Sequence, residues 1–139
     1  MVANESTLIL RIRRTIASSG ELVFLESDFS GYGSDEQVGR AVARLISEGA
    51  LVQIGEGLLA KARRNRITGQ PMLDANGGFD EVAKAGLKKL GIAWEPGDAE
   101  AAYQNRATQI PAKTVVRIKA GETMPRIAYG RFQLLIEPL

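Results

Sequence analysis

The sequence predicts an α+β fold, and three observations carry that reading. Apolar residues recur at three- and four-residue spacing through much of the first half, a glycine-marked hairpin pattern follows at residues 51–61, and the last third alternates apolar with polar residues as strands do. Of 139 residues, 45% are hydrophobic and 24% charged, which suits one domain or two small units sharing a core.

In chain order, Ser6 is the expected N-cap of a first helix running to about Ser19. Its stripe is Leu8, Ile9, Ile12 and Ile16, with Arg11, Arg13 and Arg14 directed elsewhere and Gly20 as its stop. Leu22–Leu25 reads as a short strand. Ser27, Asp28 and Phe29 open a single helical turn that buries Phe29, and Gly31 and Gly33 then turn the chain. Ser34 followed three residues later by Gln37 is a capping-box pattern, so the next helix starts at Asp35. Val38, Ala41, Val42, Leu45 and Ile46 form its buried stripe, and Gly49 is its left-handed stop. At about 100° per residue, Glu36, Arg40, Ala43 and Ser47 fall opposite that stripe, with Gln37 and Arg44 at its margins.

Leu51–Ile54 and Leu58–Lys61 are β-prone runs around Gly55, Glu56 and Gly57, a three-residue hairpin loop. The cations Lys61, Arg63, Arg64 and Arg66 follow at once. A polar helix followed by a hairpin that runs into clustered cations is the plan of a winged helix-turn-helix, with the helix in the major groove and the hairpin along the phosphates. The residues expected to contact double-stranded DNA are therefore Ser34, Gln37, Arg40, Arg44, Lys61, Arg63, Arg64 and Arg66. Arginine suits guanine or phosphate and glutamine suits adenine, while Glu36 and Glu56 oppose phosphate.

This winged helix is expected to occupy residues 1–66. Residues 67–78, with Gly69, Pro71, Asn76, Gly77 and Gly78, read as a connector. Residues 79–139 read as a small unit of helix and antiparallel β-meander. Phe79, Val82, Ala83, Leu87 and Leu90 line a helix ending at Gly91, with Lys84, Lys88 and Lys89 facing water. Ile92–Trp94 is a short strand, Asp98 caps a helix from Ala99 to about Arg106, and Thr114–Lys119 opens the meander. Ala120–Thr123 turns it, Arg126–Tyr129 returns and Phe132–Ile136 closes it. The closing run is apolar on both faces and has to be covered, by its own unit, by a homodimer or by a bound partner.

With no cysteine and no histidine, disulfides, the usual zinc constellations and the Ser-His or Cys-His nucleophile pairs are excluded. Gly55–Gly57 lacks the third glycine of a dinucleotide site, and Asn76-Gly77-Gly78 lacks the lysine and hydroxyl of a P-loop. Asp74, Asp80 and Glu81 lack the converging spacing of a metal-dependent nuclease. The expectation is no enzyme, no cofactor and no metal site. No apolar run approaches the roughly 20 residues that span a bilayer, and the N-terminus lacks a signal-peptide core, so no membrane is expected and the location is cytoplasmic. The net charge of +2 is mild, which leaves local clustering as the electrostatic signal.

Three stretches resemble the AbiEi-type antitoxins, DNA-binding partners in type IV toxin–antitoxin systems. They are Val38–Gly49 as V-x-x-A-V-A-R-L-x-x-x-G, the wing G-x-G-L-L at Gly55–Leu59, and Thr108-Gln109-Ile110-Pro111-Ala112. Asn105, Arg106 and Ala107 stand where relatives commonly carry leucine and glycine, and Leu59 stands where the wing usually carries an aromatic residue. The resemblance implies a transcriptional regulator that represses its own operon, with a toxin protein as partner in longer relatives. The alternative is a protein-interaction module that docks a partner without DNA, since winged helices do both.

Overall fold

The computed structural model describes residues 5–97, 113–119 and 125–138. Among them the chain is mixed α+β, with four helices and two sheets. In order these are α1 (Glu5–Ser18), β1 (Val23–Leu25), a short 3-10 helix (Glu26–Tyr32), α2 (Asp35–Ser47), β2 (Leu51–Gly55), β3 (Leu58–Arg64), β4 (Pro71–Leu73), α3 (Gly78–Lys89), β5 (Glu95–Pro96), β6 (Lys113–Ile118), β7 (Ala128–Tyr129) and β8 (Phe132–Pro138). Among the described residues, no helix is long and apolar enough to cross a membrane. Ser6 lies inside α1 and does not precede it.

The first sheet is built on β3. Its first half pairs antiparallel with β1, Val23 opposite Ala60, and its other edge pairs with β2, Val52 opposite Ala60. At Lys61 the N–H donates to the Leu22 carbonyl and the carbonyl accepts from the Asp74 N–H, so β4 continues the edge that β1 begins. Successive side chains leave a strand on opposite faces, and both faces here are covered. Phe24, Leu51 and Leu59 pack with Leu8, Ile12, Phe29, Val42 and Leu45 from the N-terminal helices. Val23, Val52, Ala60 and Ala62 pack with Phe79, Val82 and Leu87 of α3 and with Val116, Ile118 and Leu134 of the second sheet.

The expected connector at 67–78 thus holds a strand, β4, whose Leu73 is buried in the second core. Tyr129 donates its hydroxyl to the Pro71 carbonyl at 2.9 Å. Glycine and proline hid the strand: Pro71, which has no N–H to give, stands at its first position, where a strand tolerates it.

The second sheet has the order β5-β6-β8-β7 and corrects the expected antiparallel meander. β6 and β8 run parallel, Val116 beside Ile136, and β7 lies on the far side of β8. Alternation along residues 114–119 identifies a strand but carries no information about its partner's direction. β8 is paired on both edges at its start, and Leu134, Phe132 and Ile136 pack into the second core while Leu135 is 36% exposed. The strand expected at Ile92–Trp94 falls instead at Glu95–Pro96, because the Ile92 N–H is spent on the Leu87 carbonyl, closing α3 over Gly91.

Two of the α3 lysines do not face water. Lys84 bonds Asp80 at 3.0 Å and lies over the Trp94 ring, and Lys89 bonds Glu21 and Asp28, each at 3.0 Å. Hydrogen bonds from Asp28 and then Glu21 raise the Lys89 pKa above its ordinary value. The expected helix at 99–106, the Thr108–Ala112 segment and the 120–123 turn lie outside the described residues.

The tip of the β2–β3 hairpin is held from two sides. The Gly57 carbonyl accepts from the Glu26 N–H at 2.9 Å, and a Cβ on Gly55 would lie 2.8 Å from the Arg126 carbonyl oxygen. Gly55→Ala should therefore destabilise the protein by about 1–3 kcal/mol, the usual cost of overpacking, read from urea unfolding. A fragment ending at Ile67 would uncover Val23, Val52, Ile54, Leu58 and Ala60. It should self-associate and bind a hydrophobic dye; a monomeric, cooperatively unfolding fragment would show that the N-terminal part needs no cover.

Candidate functional site

The outward side of α2 is set by its own start. The Ser34 hydroxyl accepts from the Gln37 N–H at 3.1 Å, and the Gln37 side-chain oxygen accepts from the Ser34 N–H at 3.0 Å. This reciprocal cap satisfies two helix-terminal donors. Two of the expected contact residues are therefore engaged in fixing the helix, through the Ser34 hydroxyl and the side-chain oxygen of Gln37.

One turn on, Arg40 is exposed and pairs with Glu36 at 3.0 Å. Arg44 pairs with Glu48 at 3.1 Å, and Glu48 also takes a short hydrogen bond from Arg13 of α1. Hydrogen bonds from Arg13 and then Arg44 hold the Glu48 carboxyl below its ordinary pKa. Arg64 reaches the same end of the helix, donating to the Gly69 carbonyl at 2.9 Å and to the Ser47 carbonyl at 3.4 Å, with its side chain lying across Gly49. Three guanidiniums thus converge on Ser47 and Glu48, where the aligned peptide dipoles carry partial negative charge.

The basic tail does not form one surface. Arg63 pairs with Asp74 at 3.5 Å, while Arg64 reaches the C-terminal end of α2. Lys61 is half-buried, and Arg66 is exposed in the turn after β3. Among the described residues, Lys61, Arg64 and Arg66 have no carboxylate within 4.0 Å. The expected wing tip, Gly55 to Gly57, is separated from Arg64 by the length of β3, about 20 Å at roughly 3.3 Å per residue.

Of the expected contact residues, Arg44 and Arg64 are brought together at the end of α2, Arg40 stands a turn away, and Arg63 pairs with Asp74 instead. Sequence reading missed Arg13 and Glu48 as members of the cluster. They lie 35 residues apart, and only the packing of α1 against α2 joins them. No protein-family model, curated protein or solved structure matches the chain.

A carboxyl whose pKa is depressed in the folded state contributes stability above its unfolded pKa and loses it as pH falls through the folded value. Glu48→Gln should therefore be less stable than the parent chain at neutral pH. The difference should close as the medium is acidified past the ordinary glutamate range. Parallel urea titrations at several pH values measure this, and a constant gap would show that the Arg13 and Arg44 contacts do not depend on the charge.

Proposed function

We propose that the chain binds double-stranded DNA through the outward side of α2 and the cations at its C-terminal end, with residues up to Arg66 acting as a winged helix-turn-helix. The observation that carries this reading is the convergence of Arg13, Arg44 and Arg64 on the end of a helix whose outward side presents Gln37, Arg40 and Ser47. The order of helix, strand, short helix, helix and hairpin, with sheet order β1-β3-β2, supports it.

The pairs Arg40–Glu36 and Arg44–Glu48 do not oppose this reading. Exposed pairs of this kind contribute about 0–1 kcal/mol, so a phosphate or a base edge can take over either guanidinium at small cost. Until then the carboxylates hold the side chains extended along the helix. The resemblance to AbiEi-type antitoxins supports a narrower version of the proposal, a repressor acting on its own operon.

A protein-interaction module is the second reading. It is favoured by the fact that Arg40, Arg44 and Arg63 each already have a carboxylate partner. Salt dependence separates the two. With roughly five cations engaged on phosphates, log K for duplex DNA should fall with log salt at a slope of about −4 to −5. A flat dependence, or no binding at low salt, would remove DNA. Arg40→Ala should further cost about 1–3 kcal/mol on the preferred sequence and little on random duplex; equal losses on both would mean that α2 does not read bases.

A further inference from the structure

Beyond β3 the chain makes a turn, residues 65–70, that is more ordered than its exposure requires. The Asn65 side-chain oxygen accepts from the N–H groups of Ile67 and Thr68 at 2.8 and 3.1 Å. The Asn65 carbonyl accepts from Gly69, and the Asn65 N–H donates to Gln70, both at 2.8 Å. Arg64 then ties this turn to α2 through the Gly69 and Ser47 carbonyls. The turn is thereby fixed relative to the surface assigned above to DNA.

What it presents is Arg66, exposed and without a carboxylate partner among the described residues, and Ile67, whose side chain is 94% exposed. Among the described residues, the next most exposed large apolar residue, Leu10, reaches only 45%. An isolated apolar side chain on a surface is ordinary. An isoleucine held at the apex of a side-chain-locked turn, beside a free guanidinium and attached to a basic helix end, has the two components of a minor-groove wedge. The cation enters the negative potential of the groove, and the apolar side chain enters between base pairs and kinks the duplex.

We propose that the 65–70 turn is a second DNA-contacting element, which sets Arg66 in the minor groove and Ile67 against a base step next to the major-groove site of α2. This rests on the DNA-binding reading. It also moves the role of a wing from the β2–β3 tip, which carries Glu56 and is docked, to the β3–β4 turn.

The test uses the full chain at low salt and duplexes from the region upstream of its own gene, labelled at both ends so that energy transfer reports bending. The parent protein should bind and shorten the end-to-end distance. Ile67→Ser should bind about tenfold more weakly, consistent with losing the burial of one apolar side chain, and should leave the duplex straight, whereas Ile67→Leu should restore both. Arg66→Ala should lower the salt slope by about one. Circular dichroism of each variant should be unchanged, because Ile67 is 94% exposed. If the parent binds and Ile67→Ser matches it in affinity and bend, the wedge is wrong while the DNA reading stands. If the parent binds no duplex, both fail. If Ile67→Ser loses only binding to vesicles rich in anionic lipid, the turn is a membrane contact and the proposal is overturned.

Discussion

The first sheet is apolar on both faces, and that constraint governs the rest of the molecule. A β-hairpin with a third strand beside it needs one face covered; β1, β2 and β3 need two, because Phe24, Leu51 and Leu59 alternate with Val23, Val52 and Ala60. The N-terminal helices cover the first set. The second set requires α3 and the β6–β8 sheet, so the C-terminal half is a structural partner of the N-terminal half. The same demand explains why the connecting residues pair as β4 and why Lys89 reaches back to Glu21 and Asp28.

Covering both faces decides what is left for function. The hairpin turn is tied to the 3-10 helix through the Gly57 carbonyl while Glu56 stays exposed, and Gly55 is glycine because the Arg126 carbonyl leaves no room for a side chain. The outward side of α2 and the ends of the elements around it remain open. At one of those ends the arginines have two roles through the same atoms. Arg64 satisfies a terminal carbonyl of α2 and adds positive charge where the helix dipole is negative. Its loss would weaken the helix as well as the surface, so a binding defect at this position is interpretable only beside a stability measurement.

What the sequence made legible follows the strength of each local signal. The stripes of α1, α2 and α3, the Ser34–Gln37 capping box, the glycine turn of β2–β3 and the turn burying Phe29 are set by residues within a few positions of one another, and the structure has them, except that Leu90 caps α3 and is 38% exposed and that Gly55 pairs in β2, which shortens the loop to Glu56 and Gly57. The parallel pairing of β6 with β8 and the strand in the glycine-rich stretch depend on which distant segment is the partner. A single strand's pattern does not encode that. The candidate site divides in the same way: Arg40 and Arg44 are readable from helical geometry, whereas Arg13 and Glu48 meet only through tertiary packing. Clustering in sequence also misled, because Arg63 pairs with Asp74 while Arg64 reaches the end of α2.

The two ends of β3 therefore have different characters, and local chemistry accounts for both. At its start, Leu58 lies beside Gly86 of α3 together with Ile127, so that residue is absorbed into the core. At its finish, Ala62 is the last buried residue of the strand, and the chain leaves the shelter of β2 with Arg63, Arg64, Asn65 and Arg66 to follow before the exposed Ile67. Asn65 supplies there what packing supplies at the other end. Its side chain replaces the missing tertiary contacts with hydrogen bonds to the turn's own backbone, a local device that fixes a conformation without burying anything. A turn stabilised in this way keeps its outer side chains free of structural duty, and their identity is then open to selection by a ligand rather than by the fold.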